Sequence, residues 1–158
     1  MTIYRMDDPA YWIVPENYTQ FDDLRTSHLL LGEQDPASPR VVIMDMGPGF
    51  VIPRHMHGCE RFQMVVKGSL YSHDGILYPG DIMIAHAGEV YGPKVAGADG
   101  CMTVEFFAQL GTSQSVYELA DGSMVKFNPG SGEQLPENLA QSDWVEERQK
   151  EIAAISAK

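Results

Sequence analysis

Apolar residues along this chain come in short runs, none longer than five, broken by clusters of Gly, Pro, Asp and Ser. Val41 to Met46 is a strand by its β-branched content. Further strands fit residues 26–31, 50–57, 61–67, 69–72, 76–78, 81–85, 90–95 and 101–109. Regular short strands with no helical period between them predict an all-β sandwich or barrel. The loop at 32–39 is dense in turn formers, and Ser72-His73-Asp74-Gly75 reads as a hairpin tip with His73 in solvent. Beyond Leu110, residues 115–119 and 123–127 suit another hairpin around Asp121-Gly122, followed by a break at 128–132.

The period changes only near the end. Asp143, with Glu146 three residues on, predicts a capping box. The helix it opens carries an apolar stripe of Trp144, Val145, Ile152 and Ile155, with Glu146, Glu147, Arg148, Lys150 and Glu151 on its other side. At the opposite end, Tyr4, Tyr11, Trp12, Tyr18 and Phe21 lie among acids and prolines, as in an arm that packs its aromatics onto a larger body.

Composition narrows the partners. A formal net charge of −11 repels phosphate backbones and disfavours nucleic acid and anionic membranes. The longest apolar runs are far too short to span a bilayer. Asp7, Asp8 and Pro9 stand where a signal peptide would carry its apolar core, so a cytoplasmic location is expected. Two cysteines, Cys59 and Cys101, do not make a disulfide framework and are read as free thiols, with Cys59 a small buried residue.

The candidate chemistry lies between Gly47 and Tyr91. His55 and His57, one residue apart on a β-forming segment, project to the same side and present two imidazoles to one point. Gly49, His55, His57 and Gly68 fall at the spacings of G-x5-H-x-H-x3-E-x6-G, and Pro79-Gly80-Asp81 with Gly88 matches part of G-x5-P-x-G-x2-H. This stretch resembles the cupin superfamily over roughly residues 40–107. The resemblance implies a cupin double-stranded β-helix, or jelly-roll barrel. Its core would cover about 26–110, with an N-terminal arm at 1–25 and a C-terminal extension with a short helix at 111–158, all one domain.

The chain departs from both motifs. Arg61 occupies the glutamate position with Glu60 one residue early, His86 replaces a proline, and Tyr91 stands at the last metal-binding histidine. Two registers follow for the strand after His57. With odd positions inward, Gln63 offers an amide oxygen to the histidines and Arg61 becomes a clamp for a carboxylate- or phosphate-bearing substrate. The alternation of Phe62, Met64 and Val66 suggests even positions inward instead, which would bring in Glu60 as a third ligand and send Arg61 to solvent.

His55, His57, Glu60 and Gln63 are therefore the candidate ligands of a divalent Fe, Mn, Ni or Zn ion, and Arg61 and Tyr91 the candidate catalytic groups. A phenol is a poor ligand, since it must lose a proton of pKa about 10. Tyr91 is better suited to hydrogen-bonding a substrate. His86 is read as a loop residue and His28 as packing.

By resemblance the expected function is a metal-binding cupin acting on a small organic molecule, most often as a dioxygenase. A metal-free binding barrel and a metal-dependent isomerase or lyase acting on a sugar-like substrate are the alternatives. Strand edges, the arm and the helix stripe all need covering, so a homodimer is expected.

Overall fold

A computed structural model describes residues 1–12, 23–127, 136–140 and 142–156. The expected break at 128–132, and Tyr18 and Phe21 of the arm, lie outside the described residues. Ten strands and a C-terminal helix follow in order: β1 (Leu24–Leu30), β2 (Arg40–Met46), β3 (Val51–Ile52), β4 (His55–Met56), β5 (Arg61–Ser72), β6 (Gly75–Leu77), β7 (Ile82–Ala85), β8 (Lys94–Phe107), β9 (Val116–Glu118), β10 (Met124–Lys126) and α1 (Asp143–Ser156). The larger sheet runs β1-β2-β8-β5-β6, with β3 added on β8 and β7 on β5, and the smaller runs β10-β9-β4. Every strand pair is antiparallel. This is an all-β jelly-roll with one C-terminal helix.

Three boundaries differ from the expected ones, each for a local reason. The single strand expected at 50–57 is two, because the chain changes sheet at Pro53, which has no N–H to give a ladder. Val51 and Ile52 pair with β8, whereas His55 and Met56 pair with β9. The strands expected at 61–67 and 69–72 are one continuous β5, with register shifts between Val65 and Lys67 and between Gly68 and Leu70. Likewise β8 runs unbroken through Gly100.

Gly68 (φ 72°) and Gly100 (φ 73°) come together where these paired strands lie closest. A Cβ on Gly68 would lie 2.0 Å from the Gly100 carbonyl oxygen, and one on Gly100 would lie 2.5 Å from that of Met46. Only glycine permits both the left-handed backbone and this closeness.

In the first half of β5 the buried residues are Arg61, Gln63 and Val65, opposite Phe107, Glu105 and Thr103 of β8. Odd positions therefore face inward, and the even-inward register is overturned. The apolar alternation that suggested it is real, but it belongs to the outer face. There Phe62 stacks on Phe106 at 5.8 Å, and Phe62 and Met64 pair with Ile84 and Ile82.

Beneath the inner face the main core gathers Leu24, Met46, Phe50, Ile52, Val65, Leu70, Ala96 and Cys101. Cys59 packs with Val42 and Phe107, and both cysteines are free and buried.

The helix starts at Asp143, so that residue lies in the first turn with Glu146 and is not the cap expected of it. Ser142 precedes the helix and its carbonyl accepts from Val145 N at 2.9 Å. Both acids still sit favourably at the positive end of the helix dipole. Ile152 is the buried member of the stripe, Gln149 Nε2 donates to the Gly49 carbonyl at 3.1 Å, and Trp144 lies 4.5 Å from the exposed His73 ring. In the arm, Trp12 packs against Tyr11 and under the Arg25 guanidinium.

Candidate functional site

Backbone pairing fixes the two histidines. His55 and Tyr91 exchange N–H···O bonds of 3.0 Å in both directions, and Gly88 N donates to the His57 carbonyl at 2.8 Å. Each ring is then set by its own carbonyl. His55 Nδ1 lies 2.6 Å from Pro53 O, and His57 Nδ1 lies 2.8 Å from Ser113 O. A carbonyl only accepts, so Nδ1 carries the proton in both rings and Nε2 keeps its lone pair.

The ring centroids are 5.1 Å apart at 90°. Burial first, then the neighbouring His57 and Arg61 charges, hold His55 well below the ordinary histidine range. Burial and Arg61 lower His57 to about 4. Both imidazoles are neutral bases at neutral pH.

Beside them is a buried polar cluster. Arg61 donates to Glu105 Oε2 from Nε at 3.0 Å and from Nη2 at 2.9 Å. Gln63 Nε2 donates to the other carboxylate oxygen at 2.8 Å, and Lys94 Nζ donates to Gln63 Oε1 at 2.7 Å. The Tyr91 ring lies beneath both cations, 4.8 Å from Arg61 Cζ and 4.5 Å from Lys94 Nζ. Phe107 closes the group, 4.8 Å from the His57 ring.

Burial alone would favour a protonated Glu105, but Arg61 and then Lys94 hold its carboxyl below the usual range. Burial, reinforced by Arg61, holds Lys94 well below an ordinary lysine. Burial raises the Tyr91 phenol, with the Arg61 charge partly opposing it.

Two polar atoms in this cluster are orphaned. Tyr91 Oη lies against the Arg61 guanidinium, whose charge and N–H groups both pull the phenol's pKa down against burial. Yet neither Tyr91 Oη nor Arg61 Nη1 makes a well-formed hydrogen bond among the described residues, although both atoms are buried.

The structure thus brings together His55, His57, Arg61, Gln63 and Tyr91 of the expected site residues and leaves Glu60 out. Glu60 is exposed on the rim, where its carboxylate lies 2.9 Å from His86 Nδ1 and accepts from Ala87 N at 3.3 Å. The hydrogen bond to His86 and the Ala87 N–H lower its pKa, and Glu60 in turn raises that of His86. His28 is exposed on β1, its Nε2 3.2 Å from Thr26 Oγ1.

Glu105 and Lys94 are the members that reading the sequence missed. The available signal was an acid inside Val104-Glu105-Phe106-Phe107 and a lysine inside Pro93-Lys94-Val95-Ala96, each flanked by apolar residues on a strand. Such charges are almost never buried unless paired.

These residues do not fit a three-ligand metal centre. The His55 and His57 Nε2 atoms would serve as two ligands, but no third His, Cys, Asp or Glu among the described residues joins them. Gln63 Oε1 is already committed to Lys94, and Arg61 puts a guanidinium where a carboxylate would be needed.

No protein-family model and no curated protein sequence matches the chain. Solved structures do. An acetylacetone dioxygenase from Acinetobacter johnsonii superposes with a TM-score of 0.57 at 15% identity, over 84% of this chain and 90% of that one. An RmlC-like cupin protein from Ralstonia eutropha JMP134 gives 0.51 at 13% identity, over 70% of this chain and 69% of that one. The chain has the fold of the cupin superfamily.

Proposed function

We propose that this chain is a small-molecule cupin that holds its ligand inside the barrel through His55, His57, Arg61 and Tyr91, without a resident metal. The observation that carries this reading is the Arg61–Glu105 pair: the position that would supply a carboxylate ligand supplies a cation, already neutralised by a buried acid. With its charge offset by Glu105, that guanidinium offers a dication neither a ligand oxygen nor a net negative charge. The neutral histidines then act as hydrogen-bond acceptors or proton acceptors toward the ligand.

One observation favours the second reading, a metal-dependent dioxygenase. The Nε2 lone pairs converge from rings whose Nδ1 protons are tied to carbonyls, the outer-shell arrangement that metal-binding histidines commonly have. The overlap with the acetylacetone dioxygenase, over 84% of this chain, gives that reading its reaction class.

Metal content separates the two. Tag-free protein and His57→Ala would be incubated with Fe(II), Mn(II), Ni(II) or Zn(II), desalted and measured by inductively coupled plasma mass spectrometry. The expected result is far less than one metal per chain in both. Near-stoichiometric metal that disappears in His57→Ala overturns the metal-free reading and turns attention to oxygen consumption.

We also propose a cytoplasmic homodimer, supported by the free buried cysteines and by the exposed apolar residues Ile82 and Ile84 on the outer sheet face. Among the described residues no helix is long and apolar enough to cross a membrane.

A further inference from the structure

Every carboxylate and amide oxygen in the buried cluster is taken, and donors are left over. Glu105 Oε2 receives Arg61, Glu105 Oε1 receives Gln63, and Gln63 Oε1 receives Lys94. Left without a well-formed bond are Arg61 Nη1 and the Tyr91 hydroxyl, although the two side chains lie against each other. The Arg61 side chain is 2% exposed, so bulk water does not routinely satisfy it. A buried donor without a partner costs about 1–3 kcal/mol, and more when charged. The guanidinium also approaches the Tyr91 and Phe107 rings within 4.8 and 5.7 Å, which lowers the local dielectric around it.

We infer that Arg61 Nη1 and Tyr91 Oη form an oxyanion site, and that the ligand presents a carboxylate there. This rests on the metal-free reading above and names its ligand class. The arrangement is built for an anion rather than for a neutral carbonyl. Arg61 is fixed in one orientation by two bonds to a single Glu105 oxygen, which leaves Nη1 aimed away from that carboxylate. Lys94 Nζ lies over the same Tyr91 ring and is a second cation whenever it is protonated. Glu105 offsets only one of these two charges, so an incoming carboxylate balances the cluster when Lys94 is protonated.

Tyr91 is the residue through which to test this. Replacing Arg61 would strand Glu105 in the interior, whereas Tyr91→Phe removes only the orphaned hydroxyl and keeps the ring under both cations. Full-length protein stripped on chelating resin, and the same protein reloaded with Zn(II), would be titrated calorimetrically. The probes are formate, acetate and benzoate, each against its amide: formamide, acetamide and benzamide.

The expected result is saturable binding of at least one carboxylate to the stripped protein, at least about tenfold tighter than its amide, since bonds to charged groups are the stronger ones. Tyr91→Phe should weaken that binding about five- to twentyfold. Its melting temperature should change little, because the contact of the deleted hydroxyl with Arg61 falls short of a well-formed hydrogen bond.

Binding in neither form of the protein, or amides binding as well as acids, overturns the oxyanion site while leaving the metal-free reading intact. Binding only after Zn(II) loading overturns the metal-free reading itself. A Tyr91→Phe variant with a lower melting temperature and undiminished affinity shows that the hydroxyl is structural and overturns its role here.

Discussion

Arg61 and Glu105 meet in a place where neither charge could be left alone. Taking an ion from water into the barrel costs several kcal/mol, and the pair offsets that only because both partners are present and further bonded. Removing one side should therefore be far more damaging than removing both. Arg61→Leu is expected to cost about 3–5 kcal/mol, whereas the Arg61→Leu/Glu105→Leu double variant should recover most of that loss. Chemical denaturation of the two singles and the double measures this. A double variant no more stable than the worse single would mean the pair is not the closed unit described here. The exposed Glu60–His86 pair on the rim has the same chemistry but lies in solvent, where such pairs contribute little.

At the scale of elements, the barrel depends on two long strands passing very close together. β5 and β8 pair side by side through Gly68 and Gly100, and the register shifts on either side of Gly68 let Arg61, Gln63 and Val65 face inward before it and Leu70 after it. Gly68→Ala places a methyl 2.0 Å from the Gly100 carbonyl oxygen and forces alanine to a φ of 72°. The expected loss is at least about 2 kcal/mol. Thermal unfolding monitored by circular dichroism checks it, with Gly80→Ala as the control. Gly80 also has a positive φ, but nothing lies within 4 Å of its added Cβ, so strain alone can be separated from the clash.

For the molecule as a whole, the outer face of the larger sheet carries more apolar surface than a half-solvated sheet needs. Ile82 and Ile84 are 57% and 66% exposed beside the stacked Phe62 and Phe106. The homodimer proposed above would cover this face, and sedimentation velocity should give twice the chain mass of 17.5 kDa at micromolar concentration. Ile82→Glu/Ile84→Glu should shift it to a monomer of unchanged fold. A wild-type monomer at that concentration would sink the proposal.

Much of the fold was legible in the sequence because its signals are local. Turn clusters and short β-branched runs each act within a few residues and point to an all-β sandwich or barrel, and the resemblance carried by the glycine and His55-Met56-His57 spacings implies a jelly-roll. His55 and His57 share one side of the chain by the same local rule. The face that β5 turns inward was not legible, since alternating polarity gives two faces without saying which is core. Phe62 and Met64 are apolar yet outside, whereas Arg61 and Gln63 are polar yet inside. Nor could Lys94 and Glu105 be found by spacing, because they join the site across strands, through contacts separated by 31 and 44 residues. The sequence by itself determined an all-β sandwich or barrel and put the two histidines on one side of a strand, through short-range sterics and periodicity, while its resemblance to the cupin superfamily implied which barrel. Only the tertiary structure decided that Glu60 stays on the rim and that a buried cation sits beside the histidines, because burial and charge pairing depend on which strands are brought side by side.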